Sequence, residues 1–258
     1  MKRNPSERQR DFDKAFIRLI KKWLKAGVLK LDGNVEHPTT GSPQGGVISP
    51  VLSNIYMHYV LNLWFEKIVK KGCKGNAYLC VYADDFVAAF ENKEDAERFY
   101  GALEERMSKF GLELSKDKTN IIRFDKKDEA SGTFEFLGFE FSVDKSRRTG
   151  RLWVKRATSK KKFKKSLDSF TQWCRENRYM TTSKIMKLVK AKLRGYYNYY
   201  GVIGNYEMLM KMYYFSTKVL FKWMNRRSQR KSYTWAGFNQ LMRFYAVPRP
   251  RIVMTPSC

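Results

Sequence analysis

The chain has 258 residues, enough to bury a hydrophobic core in one large domain or two small ones. Charged residues occupy its start, and no apolar run approaches the roughly 20 residues of a membrane span, which excludes a signal peptide and an integral membrane protein. Its four cysteines lack paired or zinc-type spacing, which is typical of a reducing compartment. We therefore expect a cytoplasmic protein without a membrane partner, and its net charge of +26 indicates a polyanionic partner.

The positive charge is concentrated in the C-terminal part of the chain. Residues 145–258 contain 28 Lys and Arg against three acids, together with 20 aromatic residues, whereas residues 1–144 are almost neutral. Basic residues interleaved with aromatic ones suit contact with phosphates and stacking on bases. The alternative is a helical domain with a solvated charged face. An excess of this size favours nucleic acid.

The first part of the chain is predicted to begin with a polar leader and two helices. Residues 1–15 form the leader, and the basic amphipathic helix after it ends near Gly27. Ser49 and Pro50 suit the N-cap and first turn of the next helix. Because this helix is apolar on most sides, we expect it to be buried as far as about Lys71.

Two hairpins and a run of helices are predicted beyond it. In chain order they are strands at 78–81 and 86–90, a helix at 92–110, a strand near 121–124, a second hairpin with arms at 134–143 and 151–155, and helices at 159–177, 182–200, 205–227 and 234–244. Within the second hairpin, Gly138 interrupts the alternation as at a bulge or bend. The predicted architecture is therefore α+β up to about residue 156 and all-α beyond it.

Two adjacent aspartates occupy the predicted tip of the first hairpin, in the sequence Tyr82-Ala83-Asp84-Asp85. Carboxylates at a rigid turn can hold divalent cations, since Mg²⁺ prefers hard oxygen ligands together with phosphate oxygens. In phosphoryl transfer, such ions activate the attacking hydroxyl and neutralise the leaving group. The alternative is structural, because Asp is a favoured turn residue. Other segments of the sequence are needed to distinguish a metal site from a structural turn.

Three further segments of the sequence help to distinguish these two interpretations. A glycine-rich loop at 41–50 contains Gln44, Gly45 and Gly46, and consecutive glycines allow a backbone to approach a ligand closely. Lys118 follows the predicted helix 92–110 and is either a triphosphate contact or a solvated surface residue. The segment 136–139, with the sequence F-L-G-F, is either a ligand contact or part of a core.

In this order and at these spacings, the four segments resemble the palm of reverse transcriptases. The loop matches the group II intron family, in which it reads S/T-P-Q-G-G-x-x-S-P. Residues 193–200, with the sequence L-R-G-Y-Y-N-Y-Y, resemble the maturase-specific motif of that family's helical thumb, domain X. The resemblance covers roughly residues 18–245. It implies a partial polymerase palm, an antiparallel sheet with packed helices, over residues 16–156, followed by a helical thumb and maturase domain over residues 157–258.

The resemblance also implies a function and the residues that carry it. The function is RNA-directed DNA synthesis with Mg²⁺ and dNTPs on an RNA template and a DNA primer, with structured intron RNA as a further partner. Asp84 would be the primary metal ligand and Asp85 its neighbour. The remaining assignments are Gln44, Gly45, Ala83 and Lys118 for dNTP and template, Phe136, Leu137, Gly138 and Phe139 for the primer grip, and Arg194, Tyr197 and Asn198 for RNA.

The chain departs from the family at its start. The family has a third carboxylate in an apolar strand before the glutamine-glycine loop, and fingers upstream of it. Here only Asp11 and Asp13 are available, in a polar segment, so we expect this motif and the fingers to be missing. Two alternatives to the polymerase therefore stay open: an RNA-binding splicing factor that does not polymerise, and a fragment completed by an N-terminal partner.

Overall fold

The computed structural model describes residues 14–25, 28–29, 35–36, 48–125, 132–146, 149–228, 230 and 232–254. The chain divides into two compact units, residues 1–119 and 120–258. The first is of mixed helix and strand, and the second joins a small antiparallel sheet to helices, so the predicted fold class is confirmed. The predicted boundary at 156 falls within the second unit, and the assignment of domains by function stays a prediction. Among the described helices, none is both long and apolar enough for a membrane span.

The first unit contains helices and two antiparallel strand pairs. Its elements are α1 (Lys14–Lys25), β1 (Val28–Leu29), β2 (Val35–Glu36), the helical run α2 (49–72), β3 (Ala77–Tyr82), β4 (Asp85–Phe90) and α3 (Lys93–Lys109). A 3₁₀ turn, Lys116–Lys118, follows α3. Strand β1 pairs with β2, and β3 pairs with β4. The predicted first hairpin and the helices on either side of it are confirmed.

Helix α2 is only partly buried, which corrects the prediction for this segment. It begins as an α-helix, Ser49–Met57, with Ile48 rather than Ser49 at the N-cap, and continues through two π-helical stretches, His58–Asn62 and Phe65–Val69. A π-helix forms i→i+5 hydrogen bonds, so each stretch changes which side chains share a face. Val60, Leu61, Trp64 and Phe65 enter the core, whereas apolar residues such as Ile55 and Ile68 are exposed.

The core of the first unit lies between α2, α3 and one face of the β3–β4 hairpin. Phe99, Leu103 and Met107 recur at helical spacing on the buried face of α3. Alternation along β3 places Ala77, Leu79 and Val81 toward the same core. The hairpin therefore rests on helices by one face and presents Tyr78, Cys80 and Tyr82 on the other.

Asp95 joins helix α3 to the start of this hairpin. Its side chain is 2% exposed, and its Oδ2 accepts hydrogen bonds from the backbone N–H groups of Lys74 (2.9 Å) and Gly75 (3.2 Å). Arg98 forms an ion pair with its Oδ1, and Asn92 Nδ2 donates to Oδ2. Desolvation by burial acts to raise the pKa of Asp95, but these hydrogen bonds outweigh it and hold the pKa below its ordinary value.

Replacing Asp95 should therefore destabilise the first unit in a pH-dependent way. Asp95→Asn keeps the shape but offers an amide nitrogen where the carboxylate accepts, so we expect its unfolding temperature at pH 7 to fall by several degrees. A lowered pKa means that the stabilisation by Asp95 is present above the ordinary value of 3.8 and is lost as the pH falls below it. The difference between the variant and the unaltered chain should therefore shrink in acid.

The measurement is thermal unfolding of both proteins from pH 7 to pH 3. Glu94→Gln is the matched control, since Glu94 is an exposed acid in the same helical turn and should have little effect. An Asp95→Asn variant as stable as the unaltered chain at pH 7 would contradict the role of this carboxylate.

The second unit begins with a three-stranded antiparallel sheet in the order β5 (Phe134–Phe136), β6 (Phe139–Lys145) and β7 (Leu152–Thr158). The strand predicted near 121–124 is wrong, because those residues form no ladder, although Phe124 packs edge-on against Phe134. The prediction that residues 134–143 form a single arm of the hairpin is also wrong. The chain reverses at Leu137 and Gly138, so the bend predicted there is a complete hairpin turn.

Four helices follow the sheet, close to the predicted positions: α4 (Lys160–Glu176), α5 (Thr182–Tyr200), α6 (Tyr206–Met224) and α7 (Trp235–Phe244). Their core is built from Phe170, Val189, Leu193, Leu209 and Phe238 and from other side chains at helical spacing. Phe139 of β6 packs against this core, which ties the sheet to the helices.

Asn205 fixes the junction between the sheet and the helices. It is fully buried, and its Oδ1 accepts a hydrogen bond from the N–H of Thr158 at the end of β7 (2.8 Å). Its Nδ2 donates to Thr158 Oγ1 and to the carbonyl of Tyr200, each at 2.8 Å. One side chain thereby joins the last strand, the end of α5 and the start of α6.

Candidate functional site

The two predicted metal ligands lie at the tip of the β3–β4 hairpin. Tyr82 and Asp85 form its last residue pair, so Ala83 and Asp84 make a two-residue loop. Ala83 has φ +50°, a left-handed conformation that costs a residue other than glycine about 1–2 kcal/mol. Such strain persists only where the surrounding structure imposes it, and it is common at functional sites. The regular hairpin below the loop imposes it here.

The carboxylates of Asp84 and Asp85 are exposed and make no hydrogen bond or ion pair with any described residue. Asp85 shares the outer face of the hairpin with Tyr82, whose ring is 64% exposed. Two unpartnered carboxylates on a strained, well-supported turn match the donor set of a divalent cation that keeps water or phosphate in its other positions. No group of three or more acids, His or Cys suited to a metal occurs within the described ranges.

The other residues predicted to contact the dNTP are placed only in part. Lys118 is exposed at the end of the 3₁₀ turn in the same unit, where its N–H donates to the carbonyl of Ser115. Gln44 and Gly45 lie outside the described residues, as do Asp11 and Asp13. Their predicted roles, including the missing third carboxylate, therefore stay predictions.

The predicted primer grip forms a second two-residue turn, between β5 and β6. Phe136 pairs with Phe139, and both residues between them have positive φ, +51° at Leu137 and +80° at Gly138. Two successive left-handed residues are the geometry of a type I′ turn, whose twist matches that of paired strands. As at Ala83, a non-glycine residue is held in the left-handed region at the tip of a hairpin.

This turn is attached to α5, the helix that contains the predicted maturase motif. The Tyr199 hydroxyl donates to the Leu137 carbonyl at 2.8 Å, and the Tyr199 ring stacks on Phe139 with centroids 5.8 Å apart. Tyr200 packs edge-on against Phe139 at 5.3 Å. The predicted primer grip and the predicted maturase motif, which were treated as separate sites, are thus in direct contact. Tyr199 was missed by the sequence interpretation, which selected Tyr197 among the tyrosines of this helix.

The residues predicted to bind RNA separate on the two faces of α5. Arg194 and Asn198 are exposed, one helical turn apart. Tyr197 is buried in the core, which corrects its prediction as an RNA contact, because a ring enclosed by side chains cannot reach a surface ligand. Burial raises the pKa of the Tyr197 hydroxyl, and burial raises that of Tyr196 to about 12. Both tyrosines are neutral packing residues.

Comparison with known protein families identifies the family of this chain. The family described as reverse transcriptase (RNA-dependent DNA polymerase) matches residues 6–141, more than half of the chain. This chain belongs to the reverse transcriptase family. The match begins before Arg18, where the motifs alone placed its start, and reaches into the segment predicted as a leader. Reverse transcriptases use divalent metal ions, which agrees with the exposed carboxylates of Asp84 and Asp85.

The similar proteins confirm the resemblance to the group II intron type. The group II intron-encoded protein LtrA of Lactococcus lactis subsp. cremoris is 26% identical over 76% of this chain and 45% of its own length. The putative COX1/OXI3 intron 1 protein of Saccharomyces cerevisiae is 24% identical over 79% of this chain and 33% of its own length. The chain thus spans between a third and a half of the length of these relatives.

The geometry of the turn at Leu137–Gly138 can be tested by a substitution at Gly138. A Cβ at Gly138 would lie 3.1 Å from Tyr200 Oη and 3.3 Å from Lys162 Cγ, in a backbone conformation that disfavours alanine. Gly138→Ala should therefore lower the free energy of unfolding by about 1 kcal/mol or more.

Gly195→Ala is the matched control. Gly195 lies within α5, and a Cβ there would meet nothing within 4 Å, so alanine should stabilise the helix by about 0.5–1 kcal/mol. Urea unfolding of both variants measures the two effects. Equal stability of Gly138→Ala and the unaltered chain would contradict the turn geometry.

Proposed function

We propose that this chain carries RNA-directed DNA polymerase activity of the group II intron type and binds structured intron RNA through its second unit. Its substrates are dNTPs, an RNA template and a DNA primer, its metal is Mg²⁺, and its compartment is the cytoplasm. The observation that carries the proposal is the strained two-residue turn that presents Asp84 and Asp85, unpartnered, at the tip of a hairpin in a chain of this family.

The hairpin suits phosphoryl transfer because it supplies rigid placement and negative charge. Polymerisation depends on positioning the primer hydroxyl and the triphosphate and on neutralising the charge that develops between them. Asp84 and Asp85 would hold the metal, which when bound neutralises that charge. The buried face of β3 and β4 holds the turn against the core of the first unit, so the carboxylates keep their places as substrates bind.

Residues elsewhere in the chain would hold the substrates. Lys118, exposed and without a carboxylate partner among the described residues, offers a positive charge to a triphosphate. Gln44 and Gly45 would lie against the new base pair, as the resemblance implies. Gly138 and its neighbours would support the primer end, on a turn held by Tyr199.

The second unit has the charge required to bind RNA. The segment 145–258 contains Asp168, Glu176 and Glu207 as its only acids, against 28 Lys and Arg. Arg194 and Asn198 are exposed on one face of α5, and half of the Tyr199 ring is exposed close by. Cations for phosphates and exposed rings for bases are the two elements of RNA recognition.

The test of polymerase activity is the substitution Asp84→Asn. It keeps the size of the side chain and removes the charge that holds the metal, so primer extension should fall by about 100-fold or more. The assay uses poly(rA) with oligo(dT), dTTP and Mg²⁺. Asp117→Asn is the matched control, because Asp117 is an exposed acid of the same unit, in the 3₁₀ turn.

The outcomes separate the candidate functions. Extension that survives Asp84→Asn would contradict the assignment of this turn. No extension by the unaltered chain, with tight RNA binding, would favour the RNA-binding splicing factor over the polymerase. Primer extension that appears only when an N-terminal segment is added would favour a fragment that an N-terminal partner completes.

A further inference from the structure

A group of cationic side chains surrounds Trp223 near the end of α6. The guanidinium carbons of Arg178 and Arg226 lie 5.8 and 5.5 Å from the centroid of the indole ring, and Lys222 Nζ lies 5.7 Å from it. Arg227 follows Arg226 directly. We call Arg178, Lys222, Arg226 and Arg227, together with Trp223, the Trp223 cluster. Its members come from the loop after α4 and from the end of α6, so the fold assembles them.

Arg227 has hydrogen-bond donors that are not used. Its Nη1 donates to Thr182 Oγ1 at 3.2 Å, while Nε and Nη2 are enclosed and have no partner. Trp223 Nε1 is likewise enclosed and unpaired. A guanidinium stays protonated at any physiological pH, and an enclosed charged donor without an acceptor is unfavourable. Enclosed atoms do not reach a ligand at the surface, so within the cluster only Arg178, Lys222 and Arg226, which are exposed, are open to one.

The cluster also lacks negative charge. Within the described part of the chain, none of its four cations forms an ion pair with a carboxylate. Glu176, two residues before Arg178 in the chain, is instead hydrogen-bonded to Gln172 Nε2 at 2.8 Å. Three positive charges held around one ring without a counter-charge repel one another. The sequence therefore maintains an arrangement that is unfavourable for the isolated protein.

The alternative is that the cations only cover the indole ring of Trp223. Cation–π contacts with a partly exposed tryptophan are weak, and one cation is enough to cover a ring face. Three around a single ring exceed what packing needs. Arg178 is followed by Tyr179, whose ring is 81% exposed, the side chain expected where bases stack.

We infer that the Trp223 cluster binds the phosphodiester backbone of a structured nucleic acid. The inference rests on the proposed RNA binding of the second unit and goes beyond it by naming a surface away from the predicted motif at 193–200. Arginine forks match phosphate oxygens in pairs, and a phosphate beside the exposed Arg178, Lys222 and Arg226 would supply the missing negative charge. RNA and DNA share this chemistry, so the experiment includes both.

The experiment compares two triple variants of the full chain with equal loss of charge. The cluster variant is Arg178→Gln, Lys222→Gln and Arg226→Gln. The control variant is Lys187→Gln, Arg243→Gln and Arg249→Gln, which removes three exposed cations elsewhere in the same unit. The probes are an RNA hairpin with a duplex stem and a DNA hairpin of the same sequence. Dissociation constants are measured across a range of NaCl concentrations, and thermal unfolding is measured for every protein.

The cluster variant should bind the RNA hairpin about 10- to 100-fold more weakly than the unaltered chain. The slope of log affinity against log salt should fall by about two to three, since each cation that contacts a phosphate adds about one. The control variant should change both quantities much less. Because repulsion is removed, the cluster variant should unfold at the same temperature as the unaltered chain or a higher one. A purely structural role predicts lower stability with unchanged affinity.

The remaining outcomes are distinct. Equal loss of affinity in the two triple variants would contradict specific binding by the Trp223 cluster, because net charge alone would explain both losses. The proposed RNA binding of the second unit would remain intact. Failure of the unaltered chain to bind either hairpin would overturn the cluster and the proposed RNA binding together. Loss confined to the RNA hairpin identifies RNA as the ligand, and equal loss on both hairpins identifies the phosphate backbone itself.

Discussion

In each unit, one buried side chain pairs the backbone N–H groups at the point where a hairpin meets a helix. Asp95 accepts from two N–H groups ahead of β3, and Asn205 accepts from the N–H that ends β7. Neither side chain is near a predicted functional residue in sequence. Each side chain fixes the end of a strand against a helix through its hydrogen bonds. The position of each hairpin follows from the junction beneath it.

The two hairpins share a design. Each closes with a two-residue loop, and each holds a non-glycine residue, Ala83 or Leu137, in the left-handed region. The first exposes two carboxylates that have no partner among the residues the structure describes. The second is fixed by Tyr199 to the helix that presents Arg194 and Asn198. Strain in the loops is tolerated because strand pairing and the helices behind them hold the backbone in place.

Periodicity predicted the helices of the second unit within a few residues, and motif order predicted the family. Burial of the helical run 49–72 was misjudged because an apolar residue on every side of a helix does not show which side the rest of the unit covers: Val60 and Leu61 are buried, whereas Ile55 and Ile68 are exposed. Tyr197 and Tyr199 are two residues apart in a helix, and the sequence does not show which of them faces the core. The Trp223 cluster was missed for a different reason: Arg178 is more than 40 residues from Lys222 in the chain, and only the packing of α4 against α6 brings them together.

The tight loops also restrict how chain length can vary in evolution. Side chains alternate between the faces of a strand, so one residue inserted at 137–138 would shift the pairing of Phe136 with Phe139 and turn β6 over. Phe139 would then leave Tyr199, and the sheet would present its outer face to the helices. Among related chains, the two hairpin tips should therefore keep a constant length.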